Sequence, residues 1–159
     1  MRFFSLLLAV LVLTGAEAYA ATKRPEIAMR WYTETGEQGL SNTQAFPVKI
    51  GRRTKMLKSP PVVTETDILG ANFTPLANGT YRATLTLSRA AGVALSLATR
   101  ANQGRDLVVL YNNRPLYVAK IDTVIEDGVF VVPQGIFPPM KALMEEMVTY
   151  NRRTRKLDE

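Results

Sequence analysis

Between Thr80 and Leu87 apolar and polar side chains alternate strictly, with Tyr81, Ala83, Leu85 and Leu87 on one face and Thr80, Arg82, Thr84 and Thr86 on the other. That period of two predicts a half-buried strand. The period then changes. Ser88 is a good helix N-cap, and Ala90, Val93, Ala94, Leu97, Ala98 and Ala101 follow at helical spacing, which predicts a helix with that stripe inward. Asn102-Gln103-Gly104 ends it, because Gly104 can take the left-handed conformation. Leu107 to Tyr111 is a continuous apolar run and reads as a strand buried on both faces. Asn112-Asn113 predicts a hairpin turn, since Asn tolerates positive φ, and Arg114 to Lys120 returns as its partner. Glu126-Asp127-Gly128 reads as another turn, Val129 to Val132 as a strand, and Gly135-Ile136-Phe137 as the close of the unit.

The flanks are less regular. Ala21 to Pro25 is a polar leader, and Glu26 to Thr33, with the single tryptophan Trp31, reads as a strand. Glu34 to Gln44 is a Gly, Ser, Thr and Asn-rich loop. Phe46 to Ile50 reads as a strand that Pro47 assigns to a sheet edge. Gly51 to Arg53 is a turn and Lys55 to Lys58 a short strand. Thr64 and Asp67 resemble a capping box opening a short helix that Gly70 would stop. Asn72 to Gly79 reads as a loop or strand edge. Pro138-Pro139 can open a helix, with Met140, Leu143, Met144, Met147 and Tyr150 at helical spacing. Strands interleaved with two substantial helices predict an α+β fold, a mixed β-sheet with both helices packed on one face.

The order of these motifs resembles the P1 head, the first large periplasmic domain, of the SecD/SecDF protein-export subunit. The matching residues are Leu87-Ser88, Gly92-Val93, Thr99, Asn102, Gly104, Leu107 to Leu110, Ile121, Ile125, Gly128 and Gly135-Ile136-Phe137. Upstream, Pro61 to Ala71 resembles the Pro-x-Leu-Thr-x-x-Asp-Ile-x-x-Ala opening of that domain. The resemblance runs from about Lys55 to Tyr150 and departs at Asn112-Asn113, where the family has Asp-Gly, and at Val118-Ala119-Lys120. It implies a P1-head-like fold, a place on the non-cytoplasmic side, and a task in holding exported polypeptide. The family's proton-conducting membrane segments have no counterpart here, so the expectation is a freestanding head domain.

The N-terminus sets the address. Arg2, the apolar run Phe3 to Thr14 and the small-x-small triplet Ala18-Tyr19-Ala20 predict a signal peptide over residues 1–20, cleaved before Ala21. The run is shorter than the roughly 20 residues a membrane span needs. The expected organisation is then N-terminal strands and loops over 21–54, the head-like domain over 55–150, and a basic tail over 151–159. The product is expected to be periplasmic or secreted. No cysteine is present among the 159 residues, which excludes a lipoprotein anchor and disulfides.

The candidate chemistry is mostly exclusion. The chain has no histidine, so Ser-His-Asp and Cys-His catalysis and His- or Cys-based zinc sites are impossible. No glycine spacing makes a phosphate loop, and aromatics do not interleave with the basic residues as on a nucleic-acid platform. We therefore expect no enzyme, no cofactor, no metal and no nucleic acid. The net charge of +6 is partly gathered in Arg152, Arg153, Arg155 and Lys156, which either complement a helix dipole or meet an anionic lipid or polymer. Met140, Met144 and Met147 either pack a helix on the sheet or line an adaptable groove. With the Asn112-Asn113-Arg114 tip they are the candidate contacts for a protein or peptide, by groove or sheet-edge capture. An envelope structural protein acting through its basic tail, or a small carboxylate-based enzyme, are the alternatives.

Overall fold

The computed structural model describes residues 23–35 and 44–156. The expected signal peptide and most of the Glu34 to Gln44 loop lie outside the described residues. The elements run β1 (Met29–Thr33), β2 (Ala45–Ile50), β3 (Arg53–Lys58), β4 (Val63–Thr64), a 3-10 turn (Glu65–Asp67), β5 (Ile68–Pro75), β6 (Tyr81–Leu87), α1 (Arg89–Ala101), β7 (Asp106–Tyr111), β8 (Arg114–Lys120), β9 (Val129–Ile136) and α2 (Pro138–Arg155). The α+β class holds. The strands, however, are divided among three antiparallel sheets, β4-β1-β7-β8, β2-β3 and β5-β6-β9, rather than placed in one mixed sheet. Parallel neighbours need a long crossover within one sheet. The one candidate, α1, instead carries the chain from β6 in one sheet to β7 in another.

The four-stranded and three-stranded sheets turn apolar faces toward one core. Met29, Trp31, Leu107 and Val109 come from the first; Ala83, Leu85, Leu87, Phe130 and Val132 come from the second. Phe130 meets Trp31 edge-on, with centroids 5.7 Å apart, and also contacts Tyr117 on β8. The continuous apolar run in β7 has a direct cause. Its odd residues Leu107 and Val109 enter this core, while Val108 and Leu110 enter a second one with Tyr32 and Leu57, roofed by Phe46 and Val48 of the β2–β3 hairpin. Lys55 fastens that hairpin to β7 through Asp106 (2.7 Å) and Glu34 (2.9 Å). These two carboxylates, Asp106 foremost, hold the Lys55 ammonium above the ordinary lysine pKa.

One local expectation gives way to longer-range pairing. Gly70 was expected to stop a helix; instead the 3-10 turn closes after Asp67, where Thr64 N–H donates to Asp67 Oδ2 (3.0 Å), and Gly70 lies inside β5. It pairs there with Thr86, and a Cβ on Gly70 would lie 3.1 Å from the Thr86 Cβ. The polar leader is also tied down from Arg24 onward. Arg24 ion-pairs with the buried Glu65, which further accepts from Met29 N–H (3.3 Å).

Helix α1 forms where expected. Ser88 Oγ accepts from Ala91 N–H (3.2 Å), and Gly104 has φ +77°. Its orientation is the main correction. The buried positions are Ala91, Gly92, Leu95 and Thr99, whereas Val93 is 56% and Leu97 63% exposed. Gly92 touches the 126–128 turn and not a sheet: a Cβ there would lie 3.1 Å from Gly128 Cα. Thr99 Oγ1 accepts from Ile125 N–H (3.1 Å), which ties the approach to this turn to the helix, and Leu87 N–H donates to Gly128 O (2.9 Å), which ties its end to β6.

Candidate functional site

A cleft of about 560 Å3 opens between the β7–β8 hairpin and the start of α2. Tyr111, Asn112, Arg114, Pro115, Leu116, Phe137 and Met140 line it. Its volume lies within the range of small-ligand and side-chain pockets.

One wall is the hairpin. Asn112 and Asn113 have φ of 47° and 63°, the two successive left-handed residues that a tight two-residue hairpin turn requires. Asn112 N–H donates to Ala28 O (2.8 Å) and its Oδ1 accepts from Ala28 N–H (2.9 Å). These reciprocal bonds fix the tip against the segment leading into β1, so Asn112 shapes the wall. Asn113, Arg114 and Pro115 are exposed. β8 is the edge strand of its sheet, which is where a proline inside a strand is tolerated.

The opposite wall is the entry to α2. Phe137 is the N-cap residue, followed by Pro138 and Pro139 in the first turn. This start turns Met140 inward, at 9% exposure, and leaves Phe137 58% exposed at the cleft. An aromatic ring that open, beside an apolar floor of Leu116 and Met140 and a guanidinium from Arg114, makes a surface for an apolar side chain with one polar partner. On the flank of α2, Lys141 pairs with Glu145 (2.8 Å) and stands 5.6 Å over the rings of both Phe73 and Tyr81. The Glu145 carboxylate holds Lys141 above the ordinary lysine pKa.

The expected contact residues separate. Asn112, Arg114 and Met140 come together in the cleft, with Asn113 beside them in the turn. Met144 and Met147 do not: at 0% and 2% exposure they are core residues, which leaves no methionine groove along α2. The four basic residues also divide. Residues expected to leave the domain as a tail continue α2 to Arg155. Arg152 Nε donates to Leu69 O, and Arg155 lies 3.7 Å from Asp67. Arg153 and Lys156 are exposed. Two of the four cations thus have work inside the fold, because α2 brings its last turn against β5 and the 3-10 turn. Tyr111, Leu116 and Phe137 were missed as site residues. The one available signal was a phenylalanine directly before Pro138-Pro139, outside both the strand and helix periods.

The fold matches solved structures of SecDF. One, SecDF in a super-membrane-facing form, aligns over 78% of this chain at 18% identity and a TM-score of 0.52. Another, from work describing SecDF as a membrane component that enhances protein export, aligns over 92% of this chain and 72% of its own at 17% identity and a TM-score of 0.54. The chain spans 18% of the length of the first structure. At this identity the likeness is one of fold. No protein-family profile matches the sequence. No curated protein matches it either. Among the described residues no helix is long and apolar enough to cross a membrane, and no group of three or more His, Cys, Asp or Glu side chains is placed to hold a metal.

Proposed function

We propose that this protein is a non-catalytic binding module that holds an extended protein or peptide segment on the exported side of the membrane, in the service of protein export. The observation that carries the reading is the cleft itself, where the exposed Phe137 faces Tyr111, Leu116, Met140 and Arg114. An extended segment needs from its receptor an apolar pocket for a side chain and a few polar groups for its backbone, and no reacting residue. The SecDF-like fold supports the link to export, since the similar structure was described as enhancing that process.

The test is binding of a labelled, unfolded apolar peptide to the protein, followed by fluorescence anisotropy. Phe137→Ala should weaken binding about tenfold, the loss of roughly 1.4 kcal/mol expected for a partly buried aromatic anchor. Arg114→Ala should weaken it less. Binding unchanged by both substitutions, or no binding by the unsubstituted protein, would remove the cleft as the receptor.

A further inference from the structure

Helix α1 is apolar nearly all the way round. Of Arg89 to Ala101, only Arg89, Ser96, Thr99 and Arg100 carry polar side chains, and Thr99 faces the core. A helix of that kind is ordinarily covered on every side. Here the inner face is covered, while Ala90, Val93, Leu97 and Ala101 stand exposed along three turns. Beside this stripe lies a recess of about 350 Å3 whose lining includes Gly92, Val93 and Gly128 together with Arg89, Glu126 and Asp127. Leu97, 63% exposed, projects one turn further along, about 6 Å by helix rise. A projecting side chain and a recess thus sit next to each other on one surface, which is the requirement for a two-fold contact in which each copy supplies both parts.

The charges fit the same partner. The patch carries cations at Arg89 and Arg100 and anions at Glu126 and Asp127, with Arg100 and Glu126 paired at 3.0 Å and both largely exposed. A copy turned about a two-fold axis can set either sign against its opposite. On an anionic lipid surface the two carboxylates would offset the two arginines, so the patch gains no net attraction there. Small residues at Ala90 and Ala101 allow close helix approach.

We propose that the outer face of α1 is a homodimer interface, with Leu97 of each copy entering the recess beside Val93 of the other. The stripe is short. Three turns, about 20 Å long and about 10 Å wide, give an apolar centre far below the roughly 800 Å2 per partner of a standard stable interface. The dimer is therefore weak and concentration-dependent.

Sedimentation velocity of the full chain from about 10 µM to about 1 mM, a range set for a weak complex, should show a shift from monomer toward dimer. Leu97→Glu should remain monomeric throughout, with unchanged circular dichroism and thermal midpoint. Because the chain has no cysteine, a second test is available. Val93→Cys and Leu97→Cys chains, mixed and oxidised, should form a disulfide-linked pair, whereas Leu97→Cys mixed with Arg82→Cys, exposed on β6, should not. Monomer at every concentration, dimer that survives Leu97→Glu, or equal crosslinking in both mixtures would overturn the proposal. So would a monomer that sediments with anionic vesicles through Leu97.

Discussion

The two helices of this protein were read from the same kind of pattern, and only one of them turned the expected face inward. In α2, Met140, Met144 and Met147 are buried as the spacing predicts, while Glu145, Glu146, Arg152 and Arg153 lie outside. In α1 the predicted stripe Ala90, Val93, Ala94, Leu97, Ala98 and Ala101 recurs just as regularly, yet Ala90, Val93, Leu97 and Ala101 face solvent and Ala94 and Ala98 are only half-buried. The difference lies in what occupies the other side. Charged residues on α2 leave one phase that buries no unpaired charge. On α1 the opposite face holds Ala91, Gly92, Leu95 and Thr99, small or apolar residues that can equally enter a core. Periodicity orients a helix through its polar face as much as through its apolar one.

The sharpest way to break this comparison is a pair of substitutions two residues apart. Leu95→Ala should cost about 2–5 kcal/mol of stability, because it empties a fully buried site. Leu97→Ala should stay within about 0.5 kcal/mol when measured by urea unfolding at low protein concentration. The reverse order would restore the face that the spacing suggested.

The end of α2 offers a second contrast. Asn151 is buried and its side-chain amide donates to Glu65 O (2.8 Å) and Ile68 O (2.9 Å), two carbonyls at the entrance to β5. Asn151→Ala should cost about 2 kcal/mol, since those carbonyls would lose their partner without gaining water. Arg153→Ala, one helical step outward, should leave the thermal midpoint nearly unchanged. Equal effects would mean that the last turns of α2 do not dock as described.

The smallest of the expected losses belongs to Gly92, where propensity and packing disagree. Helix propensity alone favours Gly92→Ala by about 1 kcal/mol. The added methyl, however, meets the Gly128 backbone at 3.1 Å. Crowding against a turn that is itself hydrogen-bonded to Leu87 should prevail, for a net loss of about 1 kcal/mol in chemical unfolding. A gain would show that the turn yields and that α1 is held on its inner face by Leu95 more than by this contact.

Much of the fold was legible because its signals are local. Ser88, Gly104, Gly128 and Asn112-Asn113 each act within about four residues, and each lies at the helix end or turn it predicts. The cleft was legible by half. Asn112, Arg114 and Met140 were marked for their residue types and fall together. Phe137 was not, because its exposure depends on how α2 leaves β9. Met144 and Met147 were left open between a packed core and an adaptable groove, which use the same side chains, and the structure places them in the core.

By itself, the sequence determined the α+β class, the order and most of the ends of the elements, and the absence of histidine and cysteine chemistry. Steric and hydrogen-bonding preferences over a few residues suffice for those. Only the tertiary structure decided that the strands form three antiparallel sheets, that β5 replaces a helix stop, that α1 faces inward through Gly92 and Leu95, and that Phe137 stands open. These outcomes rest on contacts between residues far apart in the chain, such as Gly92 with Gly128 and Asn151 with Glu65. There, competing apolar surfaces are compared by how well they fit, which no window of neighbouring residues can express.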